Sequence, residues 1–250
     1  MLKFLPNLIS LFNLFFGCVA IVFAIQGDLP LAAGFVVLGI FFDFFDGLAA
    51  RAFNAQSELG KQLDSLADVV TSGLAPGVVM MQLLFLSVQD TVSESLWEGL
   101  SLDITHNAFL PLFGLLITLA SAYRLAKFNI DERQTDSFIG LPTPANTLWI
   151  ISLPLILIYQ PSEITTQLLL NPWVLMGLTL LSAYLLNANI RLFSLKFKTR
   201  SFKGNSLRYV FLIASLVMLS AFWFAAVPLV ILFYILLSLF AKNKEAVNDF

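Results

Sequence analysis

Eight long apolar runs constrain the fold of this chain more than any other feature of its sequence. A helix needs roughly 20 mostly apolar residues to cross the hydrocarbon core of a bilayer, and most of the runs approach that length. Only 12% of the 250 residues are charged, against about 25% in soluble domains. The sequence therefore predicts an all-α integral membrane protein with about eight transmembrane helices, at residues 8–26, 30–50, 65–89, 108–127, 146–160, 172–190, 207–224 and 226–241.

The last two runs are separated only by Ala225, Ala226 and Val227 before Pro228. So short a connection favours a tight helical hairpin over residues 207–241, followed by a cytoplasmic tail over 242–250. No internal repeat or separate soluble domain interrupts the pattern. We expect residues 1–250 to form a single membrane domain.

The distribution of charge predicts the orientation. With eight spans, all 14 Lys and Arg residues fall on the side that holds both termini. Positive residues favour cytoplasmic loops, so we expect both termini to face the cytoplasm from the cell's inner membrane. The opposite side receives acids and no basic residue: Asp28, Asp90, Glu94, Glu98, Asp103 and Glu163.

Two pairs of acids interrupt this apolar pattern. In the stretch IFFDFFDGLAAR, Asp43 and Asp46 stand three apart, and Asp64 and Asp68 stand four apart at the start of the third run. Charge inside a membrane helix costs on the order of 2.5–3.5 kcal/mol and marks a candidate functional site. Both spacings place the two carboxylates of a pair on one helix face. The short connection makes the helices neighbours, so all four acids can converge near the cytoplasmic surface.

Converging carboxylates repel one another unless cations bind between them. The chain has one His and one Cys, so any metal must be held by oxygen ligands, which suits Mg²⁺ or Mn²⁺ rather than zinc. A pair of such ions favours attack at phosphorus. Gly47 and Gly60 allow a ligand to approach the backbone closely, and Arg51 can offer its planar guanidinium to a phosphate.

Residues 43–68 resemble the signature of the CDP-alcohol phosphatidyltransferase family, D-x2-D-G-x2-A-R-x8-G-x3-D-x3-D, at every fixed position. The resemblance implies a six-helix catalytic core, here residues 1–206, a homodimer, and transfer of a phosphatidyl group from CDP-diacylglycerol to an alcohol. It also implies site roles. The metal ligands would be Asp43, Asp46, Asp64 and Asp68, the last also acting as catalytic base. The CDP and phosphate contacts would be Asn7, Gly47, Ala50, Arg51 and Gly60.

Three further stretches are similar to those of the bacterial membrane-spanning phosphatidylserine synthases, a branch of that family: PNLISLFNLFFG, SAYRLAKFNI and FIGLPTPAN. The chain departs from the family pattern at Ser10, Tyr123 and Lys127. The resemblance favours L-serine as acceptor, and a mixed cluster of charges after the fourth run suits a zwitterion. The candidate acceptor-binding residues are Arg124, Lys127, Asn129 and Arg133.

Two alternatives stay open at this point. Glycerol 3-phosphate or an inositol compound as acceptor would require several further basic residues for the extra anionic group. A cation transporter would place acids near the bilayer midplane, whereas these acids cluster at one face. The basic loop 191–208 is explained by topology and by anionic lipid headgroups. We therefore expect membrane lipids, and not nucleic acid, as its partners.

Overall fold

The computed structural model describes residues 4–88, 109–131, 138–193 and 205–248, and helices account for most of them. The first helices are α1 (Leu5–Ile25), α2 (Leu29–Ala52), α3 (Glu58–Asp68) and α4 (Ala75–Val88), with a π-helical segment at Val69–Leu74 between the last two. A 3₁₀ turn at Leu110–Leu115 leads into α5 (Leu116–Ile130). The remaining helices are α6 (Thr143–Tyr159), α7 (Glu163–Leu169), α8 (Pro172–Asn187), α9 (Ser206–Phe222) and α10 (Ala226–Asn248).

Helices occupy all eight predicted positions, which confirms the all-α membrane class. Within the described residues, five stretches are long and apolar enough to cross a bilayer. A sixth is added if α7 and α8, which meet at a bend of 68°, form one span. Helix α6 is apolar but has only 17 residues, as the short fifth run indicated. The five stretches are Leu5–Ile25, Leu29–Ala52, Glu58–Val88, Leu110–Ile130 and Ser206–Phe240.

The last of these stretches folds back on itself. The helical geometry is interrupted at Trp223, which has a φ of 49°. A 3₁₀ turn there joins α9 to α10. The rings of Phe211 in α9 and Tyr234 in α10 lie 5.3 Å apart, at nearly equal numbers of residues on either side of the break. The two helices are therefore antiparallel, as expected for a hairpin. Helix α10 continues to Asn248, beyond the predicted end of the hairpin at residue 241.

Helix α1 packs along α2, and both helices carry small buried side chains. Ala20, Ala24, Ala32 and Ala33 are all buried, and small residues let membrane helices approach closely. The element α3–π–α4 lies at the centre of the bundle. In its most apolar stretch 72% of the residues are buried, against 28% in that of α1 or α2. The second pair of acids is thus carried by the central helix and the first pair by its neighbour.

The π-helical segment follows directly after Asp68. Pro76 has no N–H to donate to the carbonyl of Ser72, four residues earlier. Thr147 Oγ1 from α6 donates to that carbonyl instead, at 2.8 Å, and Thr118 Oγ1 from α5 donates to the carbonyl of Gly73 at 3.1 Å. Two neighbouring helices therefore stabilise the irregular backbone that follows Asp68. Single π turns in helices often mark functional sites.

Two short extended segments pair near the ends of α6 and α8. Phe138–Ile139 (β1) pairs antiparallel with Arg191–Leu192 (β2), and Gly140, at a φ of 76°, donates its N–H to the carbonyl of Ile190 at 2.9 Å. This pairing brings the start of α6 next to the end of α8.

Candidate active site

Helices α2 and α3 bring three carboxylates into one group. Asp43 of α2 and Asp64 and Asp68 of α3 each offer an oxygen, and these oxygens lie within 4.8 Å of one another. The five residues 53–57 join the two helices, so the helix ends are necessarily adjacent. The spacing of four in α3 places both of its acids on one face of that helix. We call Asp43, Asp64 and Asp68 the acidic group.

Asp46 lies beside the acidic group, in a different environment. It is buried, and Ser10 Oγ of α1 donates a hydrogen bond to its Oδ2 at 2.5 Å. The structure therefore places three of the four predicted ligands together and binds the fourth to α1.

The donors of the site fit a divalent cation. Asp64 Oδ1 is buried and has no hydrogen-bond partner among the described residues. A buried carboxylate oxygen without a partner is costly, and a bound cation removes that cost. Because the donors are carboxylate oxygens, the site suits hard cations such as Mg²⁺ or Mn²⁺.

A cavity of about 880 Å³ opens next to these acids. Its volume lies in the range of about 300–1,000 Å³ that is usual for ligand pockets. Asp46 and Asp64 contribute to its wall. Every residue that the resemblance assigned to CDP or phosphate binding lines it: Asn7, Gly47, Ala50, Arg51 and Gly60.

The two glycines of the signature shape this cavity differently. At Gly60 a Cβ would lie 3.0 Å from Asn7 Oδ1 and 3.1 Å from Ser57 Oγ, so a side chain would push into the polar wall. At Gly47 the nearest atom to a Cβ would be Arg51 Nη2, 4.0 Å away. Arg51 Nε donates to the carbonyl of Gly47 at 3.0 Å. The guanidinium therefore lies over the open backbone at Gly47, where an anion could contact both.

Several lining residues were missed by the sequence analysis. Ser57 caps α3, since its Oγ accepts from the N–H of Gly60 at 3.0 Å. A serine directly before a helix is a recognisable N-cap, so this residue could have been found from the sequence. Lys61 next to Gly60 carries no such signal, and Phe128 enters from a distant part of the chain. Further lining residues that were missed are Pro6, Ser10, Ala55, Gln56 and Glu58.

The candidate acceptor residues occupy different places. Arg124 is buried and its Nε has no hydrogen-bond partner in the described part of the chain. With Lys127 it lines a second cavity of about 10 Å³, to which Asn187 and Phe128 also contribute. That volume is about the minimum for one water molecule. Phe128 lines both cavities, so the two are neighbours.

Asn129 lies in neither cavity. Its side-chain Nδ2 donates to Ser65 Oγ at 2.8 Å, and its backbone carbonyl accepts from Lys61 Nζ at 3.2 Å. Asn129 therefore joins α5 to α3. Arg133, the fourth predicted acceptor residue, lies outside the described residues.

Comparison with known proteins adds independent findings. Residues 3–186 match the family described as CDP-alcohol phosphatidyltransferase. The chain is 34% identical over 147 residues to the CDP-diacylglycerol–serine O-phosphatidyltransferase of Bacillus subtilis (strain 168), covering 57% of this chain and 71% of that protein.

Two further relatives match over a smaller share of their own length. The Helicobacter pylori (strain J99) protein of the same name is 32% identical over 148 residues, which is 58% of this chain and 55% of the relative. The archaetidylserine synthase of Methanothermobacter thermautotrophicus is 30% identical over 150 residues, 59% of this chain and 56% of the relative. The chain thus spans just over half the length of these two proteins.

Proposed function

The chain belongs to the CDP-alcohol phosphatidyltransferase family, and from that premise we propose that it transfers the phosphatidyl group of CDP-diacylglycerol to the hydroxyl of L-serine. The products are phosphatidylserine and CMP. One observation carries this proposal: the acidic group lies beside a cavity lined by every residue that the family signature assigns to CDP and phosphate binding.

The names of the relatives support serine as the acceptor. All three relatives compared above carry serine in their names, and two of them name CDP-diacylglycerol as the donor. Glycerol 3-phosphate or an inositol compound remains the alternative acceptor in our proposal.

The cavity supports binding of the diphosphate and the nucleotide of the donor. At Gly47 the backbone is open, and the Arg51 guanidinium next to it supplies planar N–H donors to a phosphate. Elsewhere in the cavity wall, polar atoms of Asn7 and Ser57 lie close to Gly60. We expect the CDP moiety to contact both parts of the wall.

We propose Asp43, Asp46, Asp64 and Asp68 as the ligands of divalent metal, with two ions bound, by resemblance to the family. A bound metal supplies charge neutralisation at the diphosphate and polarises its phosphoryl oxygens. Asp68 accepts the proton of the serine hydroxyl as a general base. The serine oxygen then forms a bond to the phosphorus that carries diacylglycerol, the bond from that phosphorus to the bridging oxygen breaks, and CMP leaves.

Arg124 is the strongest candidate for the serine carboxylate. Its buried Nε lacks a hydrogen-bond partner in the described part of the chain. Lys127 lines the same small cavity. We retain Asn129 and Arg133 as further acceptor contacts in the proposal, although Asn129 is bonded to α3.

The setting of the site follows from the charge distribution. We propose that the protein resides in the inner membrane with both termini and the active site facing the cytoplasm, since all 14 basic residues sort to that side. We also propose a homodimer, on the resemblance to the family.

Release of CMP by the purified protein in detergent tests the proposed function. CDP-diacylglycerol and Mn²⁺ or Mg²⁺ are supplied, and L-serine, glycerol 3-phosphate and inositol are offered separately. We expect release with serine alone, abolished by a chelator. Release only with another acceptor would contradict serine as the acceptor but leave the phosphatidyl transfer intact. No release with any acceptor would contradict the proposed function.

A further inference from the structure

Asn13 of α1 touches the acidic group, although it belongs neither to the Asp signature nor to the wall of the large cavity. Its side chain is completely buried. Its Nδ2 donates to Asp68 Oδ1 at 3.3 Å. The acid proposed as catalytic base is therefore bonded on one oxygen by a neutral amide from another helix.

Asn13 is itself bonded by the helix that carries Asp68. Thr71 Oγ1, three residues after Asp68, donates to the backbone carbonyl of Asn13 at 3.0 Å. The α3–π element thus receives one hydrogen bond from Asn13 and gives one back. We call Asn13, Asp68 and Thr71 the Asn13 clasp.

Two glycines make room for Thr71 between α1 and α2. A Cβ at Gly17 would collide with Thr71 Oγ1, and a Cβ at Gly39 would lie 2.5 Å from Thr71 Cγ2. Real Cβ atoms do not approach so closely, so side chains at these positions would displace Thr71. The close approach of three helices therefore fixes the orientation of its hydroxyl toward Asn13.

Asn13 is poorly explained as a packing residue. Its Oδ1 is buried and has no hydrogen-bond partner among the described residues. Leaving a buried polar atom unsatisfied costs about 1–3 kcal/mol, a cost that an apolar side chain at this position would not incur. The benefit of the amide must then lie in its other atom, Nδ2, and in what that atom does to Asp68.

We infer that Asn13, held by Thr71, is the positioning residue that orients the Asp68 carboxylate toward Asp43 and Asp64. Without the amide, Asp68 is free to rotate away from the acidic group, and the site loses part of its affinity for a divalent cation. Groups that orient a metal ligand typically contribute about 10–100-fold to metal affinity. The catalytic consequence rests on the proposed function, whereas the effect on cation binding does not.

The test measures Mn²⁺ binding to the purified protein by electron paramagnetic resonance, without substrates. The variants are Asn13→Leu and Thr71→Val. The matched control is Thr147→Val. Like Thr71→Val, it removes a threonine hydroxyl that donates to a backbone carbonyl, here that of Ser72, but it removes no contact with Asn13. We expect both clasp variants to weaken Mn²⁺ binding about 10–100-fold, and the control to stay within about twofold. Melting temperatures without metal serve to compare the stability of all three variants.

A double-mutant cycle separates positioning from general damage. In an Asp68→Asn background the clasp has no carboxylate to orient, so Asn13→Leu should cause no further loss of Mn²⁺ affinity. An equal loss in both backgrounds, an unchanged affinity in Asn13→Leu alone, or a loss of the same size in Thr147→Val would overturn the inference. Because the readout needs no substrate, a failure of the proposed serine transfer would show separately, in the CMP assay.

Discussion

At the scale of residues, neighbouring side chains in the stretch 40–51 lie in opposite environments. Phe41 and Phe44 are exposed on the outer surface of α2, while Asp46 is buried against α1. One turn of helix thus separates apolar side chains suited to lipid from carboxylates inside the bundle. This placement explains how an apolar helix tolerates Asp46, since that acid accepts a hydrogen bond from Ser10 and lines the cavity.

A first prediction concerns the role of Asp68 in turnover. Asp68→Asn keeps the size and shape of the side chain but replaces a carboxylate oxygen with an amide nitrogen and so removes the base. We therefore expect turnover to fall by about 10²–10⁴-fold with the KM for CDP-diacylglycerol retained. Steady-state CMP release measures both quantities. Asp28→Asn is the matched control, since Asp28 caps α2 in an exposed position away from the acidic group. Equal losses of turnover and of donor binding would contradict the role as base.

A second prediction concerns Ser10, the partner of Asp46. Ser10→Ala leaves Asp46 Oδ2 without its hydrogen bond, and we expect the Mn²⁺ concentration for half-maximal rate to rise about tenfold or more. Ser10→Thr keeps the hydroxyl and is the residue of the family pattern, so it should retain the wild-type value. The metal dependence of CMP release distinguishes the two. A similar rise in both variants would indicate that packing, and not the hydroxyl, matters at this position.

At the scale of elements, the central helix combines two local requirements. Helix α3 needs regular geometry to align Asp64 with Asp68, and the π-helical segment after it needs outside donors for its carbonyls. The hydroxyls of Thr118 and Thr147 supply those donors. The irregular segment is therefore held by α5 and α6, and through Thr71 by α1.

Helix α2 offers a test of the cavity with a control on the same element. Gly47 lines the cavity and Gly34 does not, and neither Cβ would meet an atom closer than 4.0 Å. We expect Gly47→Val to obstruct the donor and raise the KM for CDP-diacylglycerol about tenfold or more, as overpacking by 1–3 kcal/mol implies. Gly34→Val makes the same change in helix propensity and should leave that KM unchanged. Equal effects of the two substitutions would show that α2 itself, and not the cavity, is affected.

At the scale of the whole molecule, the open question is how α7 and α8 cross the membrane. Their bend of 68° fits either one broken span or a re-entrant segment. The proposed topology requires a crossing, because it places Glu163 and Arg191 on opposite sides.

Cysteine labelling decides between these arrangements. Cys18 is the only cysteine, so Cys18→Ser gives a cysteine-free background for Glu163→Cys and Arg191→Cys, both at exposed positions. With a membrane-impermeant thiol reagent on intact cells, we expect Glu163→Cys to react and Arg191→Cys to react only after permeabilisation. Reaction of both from the same side would contradict a crossing by α7 and α8.

The sequence alone determined the helices and the pairing of the acids, because both depend on neighbours along the chain. Apolar runs specify membrane helices, and spacings of three and four place Asp43, Asp46, Asp64 and Asp68 in pairs on helix faces. The family signature also contains Gly47 and Arg51, which line the cavity in the structure.

Only the tertiary structure decided which helix faces meet. The helices are apolar on most sides, so their sequences give little indication of which face packs inward. The hydrogen bond from Ser10 to Asp46, the Asn13 clasp and the contribution of Phe128 to the cavity wall all depend on contacts between distant segments. Such contacts arise from close packing of α1, α2, α3 and α5, and a pattern read along one helix does not contain them.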